Sequence, residues 1–101
     1  MESAERVAAM EQALDQTCDA VDQMRDAVAE LVDATDAIRD LSAYYGSQEW
    51  YQDRKADQRG KLPGDLRRGV LTEDVPYEAL VDAREMALGM LEVATALLRA
   101  L

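Results

Sequence analysis

Cys18 and the carboxylate pairs Glu11/Asp15, Asp22/Asp26 and Asp36/Asp40 are the residues whose types and spacing come nearest to chemistry in this chain. A thiolate is a nucleophile and a metal ligand, but acidic neighbours raise a thiol's pKa and discourage reaction. Cys18 is read as a small packed residue beside an apolar seam. Carboxylates four apart share a helix face, yet a transition-metal site in a bundle wants inward Glu together with Glu-x-x-His. The chain has no His. That removes the usual general base, the Ser-His pair and His-ligated metals. Gly60-Lys61-Leu62-Pro63-Gly64 lacks both the Walker spacing and the preceding strand of a phosphate loop. No catalytic residue, metal site, cofactor or enzymatic activity is expected.

Two further groups are suited to binding. Tyr44, Tyr45, Trp50 and Tyr51 hold four of the five aromatics within eight residues. Such residues build small cores under turns and also serve interfaces. Trp50 and one Tyr are expected inside, with another Tyr exposed. Arg67-Arg68 is the basic pair least explained by local structure. Tyr44, Trp50, Tyr51, Arg67 and Arg68 are therefore the candidate partner surface.

The elements that must position these groups follow from charge and periodicity. Over 101 residues the chain carries 11 Lys plus Arg and 21 Asp plus Glu, a net charge of -10. That balance disfavours direct nucleic-acid binding, which rewards cations. Residues 1–41 hold eleven acids and three Arg, residues 42–72 four acids and six bases, and residues 73–101 six acids and two Arg. Seventeen Ala and only two Pro make the chain a helix former. One Cys excludes an internal disulfide. The acidic start lacks a signal peptide's order, and no run reaches the ~18 apolar residues of a membrane span. A cytoplasmic protein with no membrane partner is expected.

Val7, Met10, Leu14, Thr17, Val21, Met24, Val28, Leu31, Thr35 and Ile38 recur at alternating spacings of three and four. This a/d pattern predicts one helix over about 4–44, with Ser3 as a plausible cap. Ala13, Ala20, Ala27 and Ala34 sit beside the seam and let a neighbour approach closely. Glu5, Gln12, Asp19, Asp26, Asp33 and Asp40 form the opposite, solvated stripe. Gly46 ends this helix, and Ser47 caps a short one over 47–58. Gly60 then opens a connector over 59–72, in which Leu66-Arg67-Arg68 makes at most one helical turn. Thr72 or Asp74 caps a last helix over 73–100, whose two adjacent apolar stripes include Met86, Met90, Val93 and Leu97. The whole is read as a single all-helical domain, 1–101.

The block Tyr44-Tyr45-Gly46-Ser47-Gln48-Glu49-Trp50, Gly60-Lys61-Leu62-Pro63 and Asp65-Leu66-Arg67-Arg68-Gly69-Val70-Leu71-Thr72-Glu73-Asp74 resembles a small bacterial family catalogued as domain of unknown function number 4298. Gly64 and Pro76 are mild departures from it. The resemblance covers nearly the whole chain. It implies a long helix on each side of the block and a bacterial origin, and it supplies no catalytic residues.

The expected fold is all-α: a long antiparallel, coiled-coil-like helical hairpin with a short helical elbow. Tyr77 is expected against Tyr45 or Trp50, with Leu62, Leu66 and Leu71 in the same cluster. The last helix is too short to cover Val7, Met10 and Leu14, and carries a second apolar stripe. A homodimer with a seam of Val7, Met10, Leu14, Met86, Met90 and Val93 resolves both excesses. The leading functional reading is a non-enzymatic, self-associating protein–protein interaction module. The alternative is an acidic regulator or inhibitor of a basic, nucleic-acid-binding partner protein.

Overall fold

A computed structural model describes residues 2–101. Helix α1 spans Ser3–Tyr44, α2 spans Gln48–Gln58, a one-turn 3-10 helix, η1, spans Gly69–Leu71, and α3 spans Asp74–Ala100. No strand occurs among the described residues. Long helix, short elbow and long helix in this order fit a helical hairpin. No helix is long and apolar enough to cross a membrane. The chain forms two units, one running to Asp36 and the other spanning Ala37–Leu101.

The first unit is a length of α1 with no buried residue. Ala-rich sequence without Gly or Pro keeps it helical, and Thr17 and Thr35 return their hydroxyls to the carbonyls of Ala13 and Leu31 at 2.7 and 2.8 Å. That back-bonding satisfies each hydroxyl within the helix.

In the second unit the helix ends are set by glycine and short polar side chains. Gly46 has φ +78°, and beyond it Ser47 N–H closes a turn on Tyr44 O at 2.9 Å. Ser47 Oγ accepts Trp50 N–H at 3.2 Å and so caps α2. At the other end Gly60 has φ +70°. Its N–H bonds Asp57 O and Lys61 N–H bonds Ala56 O, both at 3.0 Å. This is the Schellman pattern, which uses two otherwise orphaned carbonyls.

The single turn expected at Leu66-Arg67-Arg68 forms three residues later, at Gly69–Leu71. The carbonyls of Leu62, Pro63, Gly64 and Leu66 are drawn to the Arg68 guanidinium. Thr72 Oγ1 then donates to Gly69 O at 2.6 Å and accepts Val75 N–H at 3.3 Å. One hydroxyl closes η1 and caps α3, and Asp74 becomes the first helical residue.

The core sits in this elbow. Trp50 is 3% exposed, Pro76 is also buried, and η1 packs against both α2 and α3. Burying a large aromatic contributes on the order of 4 kcal/mol, at ~25 cal/mol per Å² over 150–250 Å². Tyr77 does not join it, being 57% exposed. Pro76 is the residue that α3 turns inward, and the next position lies about 100° around the helix.

Candidate functional site

Trp50 organises the elbow. Tyr45 meets its ring edge-on at 5.0 Å between centroids, Tyr51 does so at 4.9 Å, and the Arg54 guanidinium lies 4.6 Å from the ring centroid. Its Nε1–H donates to Val70 O at 2.9 Å. Tyr45 Oη donates to Glu73 O at 3.0 Å, and Arg54 bonds Glu73 Oε1 at 3.4 Å. Tyr45 and Arg54 thus reach the residue before α3, and Trp50 reaches η1. Three long side chains convert a chain rich in local contacts into a folded corner.

Tyr44 donates to Asp53 Oδ2 at 2.5 Å. Burial, the bond to Asp53, and the Asp53 and Glu49 charges push its phenol up to about 12. Each of these favours the neutral phenol over phenolate.

Arg68 is consumed internally. Its Nε donates to Asp57 Oδ1 at 2.6 Å, one terminal nitrogen reaches Leu66 O at 2.7 Å, and the other reaches Pro63 O at 2.6 Å. Weaker contacts extend to Gly64 O and Leu62 O. A planar fork of five donors suits such a curl of carbonyls. Arg67 is exposed. It lines one side of an open cleft of about 300 Å³ whose other walls are Leu41, Val70, Val75, Pro76 and Ala79.

The five residues of the expected partner surface therefore separate. Tyr51 and Arg67 are exposed, Tyr44 is half-buried and bonded, and Trp50 and Arg68 are turned into the fold. The cleft beside Arg67 was not legible beforehand, because its walls come from α1, η1 and α3 over a span of 41–79.

The larger feature is apolar. On α1, Val7 is 59%, Met10 61% and Leu14 54% exposed. Val21, Met24, Val28 and Leu31 of the same seam are exposed as well. On α3, Met86, Met90 and Val93 are exposed, as are Leu91, Leu97 and Leu98. The elbow engages α3 through its first turns, where Pro76 is buried and Leu80, Val81 and Ala83 are half-buried. The acids Asp19, Asp26, Asp33 and Asp40 are all exposed. Among the described residues no three Cys, Asp or Glu side chains are grouped to hold a metal ion.

The chain matches a family model described as Domain of unknown function (DUF4298) over residues 7–93. Neither the curated proteins nor the solved structures contain a match.

Proposed function

The chain belongs to the DUF4298 family, and from that footing we propose that it is a non-enzymatic module that associates with a second copy of itself through its apolar helix faces. One observation carries this reading. Among the described residues Trp50 is the only large apolar side chain that is buried, while Val7, Met10, Leu14, Met86, Met90 and Val93 stand exposed. Exposed apolar side chains in this number are costly in water and mark association. Helices of this kind also draw most of their stability from a packed apolar face.

A second copy suits the faces better than a basic partner does. Glu5, Asp19, Asp26, Asp33 and Asp40 lie on the stripe of α1 opposite the seam, so a partner gripped by those charges would leave the seam in water. Another α1 covers a seam of equal length and leaves the acids solvated.

Sedimentation of the full chain at micromolar concentration tests the reading. A mass twice that of the chain is expected, and it should persist in 1 M salt because apolar burial is not screened. Leu14→Asp should shift the population toward monomer while the buried Trp50 keeps its native fluorescence. A monomeric wild-type chain would overturn the proposal.

A further inference from the structure

We propose that the cleft beside Arg67 receives a partner protein that presents a large apolar side chain with a carboxylate next to it. The cleft lies wholly within Ala37–Leu101, and none of its lining residues belongs to the seam proposed above for self-association. The site therefore stands whether or not the chain pairs with itself.

The walls select the chemistry. Leu41, Val70, Val75, Pro76 and Ala79 are apolar, and Arg67 is the charge among them. Nearby cations are spent within the fold, Arg68 on Asp57 and Arg54 on Glu73. Among the described residues Arg67 has no hydrogen bond or ion pair. A free guanidinium on an apolar wall suits a carboxylate, which it can hold through two parallel bonds. An inorganic anion would gain one cation and leave the apolar walls unused. A purely apolar guest would take Arg67 out of water without pairing it.

The cleft is also preformed and kept open. Trp50 Nε1–H fixes the Val70 carbonyl at 2.9 Å, and Thr72 closes the turn that carries Gly69 and Val70. Pro76 is buried. Positive φ is confined to Gly46 and Gly60 among the described residues, so the backbone at 69 does not require glycine. A Cβ there would stand 3.9 Å from Val75 Cγ1, another wall residue, and would narrow the cleft. A site already in shape binds without the cost of ordering it.

Its size and openness favour a side chain over a free small molecule. The volume is about 300 Å³. An apolar cavity of ~150 Å³ holds a benzene ring, so one large side chain has room here. Val70 and Val75, however, are 38% and 57% exposed. Small-molecule sites enclose ~70–90% of their ligand, and a free molecule in so open a cleft would stay largely in water. A side chain carried on a partner's surface is covered from behind by the partner itself.

Blocked dipeptides titrated into the isotope-labelled full chain test the assignment by amide chemical shift. N-acetyl-Leu-Asp-amide should move the amides of Gly69, Val70, Val75 and Ala79, with roughly millimolar affinity. Asn in place of its Asp should weaken binding about threefold, the scale of an exposed ion pair. Ala in place of its Leu should weaken it about fivefold. Arg67→Gln should erase the difference between the Asp and Asn peptides. Lys61→Gln, which removes an exposed cation outside the cleft, should preserve it. Ala79→Leu fills the cleft from an exposed helical position that tolerates Leu, and should weaken every peptide. Unmoved amides with the Leu-Asp peptide, equal affinity for Asp and Asn, or binding untouched by Ala79→Leu would each overturn the assignment. So would loss of a dimer mass in Arg67→Gln or Ala79→Leu, which would give the cleft to a second copy of this chain.

Discussion

Trp50 Nε1 and the carbonyl oxygen of Val70 are joined at 2.9 Å across 20 residues of sequence. The bond ties α2 to the turn that launches α3, and it satisfies the one polar atom of a side chain that is 3% exposed. Removing ring and bond together therefore differs from removing the bond alone.

Trp50→Ala should cost the second unit about 3–5 kcal/mol, the range for deleting a buried aromatic. Trp50→Phe keeps an apolar ring and leaves Val70 O without its donor, for about 1–2 kcal/mol. Amide hydrogen exchange of residues 47–75 reads both losses without needing the indole as a probe. Equal effects of the two variants would show that the bond carries the elbow and the ring does not.

Arg67 and Arg68 are chemically identical neighbours with opposite fates, and mutation should separate them. Arg68→Gln removes a fork that bonds Asp57 and the carbonyls of Pro63 and Leu66, and should cost about 1–3 kcal/mol. The pair is about one-third exposed on both sides, which places the loss toward the low end of that range. Arg68→Lys should not restore it, because an ammonium cannot span several carbonyls in one plane. Arg67→Gln should stay within about 0.5 kcal/mol, as surface changes do. Urea unfolding followed through Trp50 fluorescence distinguishes the three.

That contrast marks where sequence stops being informative. Gly46, Ser47, Gly60 and Thr72 act through their own backbone or a residue three positions away, and such local roles show in one dimension. The α1 seam was legible for the same reason, since heptad spacing is a property of one helix. Arg68 depends on Asp57, eleven residues back across a Schellman turn, and no local pattern tells it from Arg67. Tyr77 and Pro76 differ by one step around α3. Which of them turns inward depends on where η1 delivers the chain. The Arg67 cleft needs three elements at once.

Tyr44 should ionise late. Its folded pKa is raised to about 12 from an ordinary value near 10. A raised pKa means that the neutral phenol is the form the fold favours. The associated stability is thus full below about pH 10 and is lost as pH climbs through about 12. Absorbance at 295 nm should show a phenolate step near pH 12 that Tyr44→Phe abolishes. Asp53→Asn should lower the step without returning it to 10, since burial is the largest cause and the Glu49 charge remains. A step unmoved by Asp53→Asn would rule out the 2.5 Å bond as a contributor.

The acidic stripe should prove dispensable to the fold. Asp19, Asp26, Asp33 and Asp40 are exposed, and each recurs seven residues after the last on the side of α1 away from the seam. Successive members lie about 10 Å apart along the axis. That is close to the Debye length at 0.1 M salt, so their mutual repulsion is partly screened and small. Asn has a helix propensity close to that of Asp, so replacing all four removes charge with little change in backbone preference. Helicity at 222 nm should be retained, and the midpoint of thermal unfolding should rise slightly at low ionic strength and not at 0.5 M salt. If these acids instead gripped a partner or an ion needed for folding, the fourfold variant would lose helicity at every salt concentration. Because the stripe points away from the seam, the fourfold change should also leave association through Val7, Met10 and Leu14 intact or tighter, as sedimentation of the same sample would show.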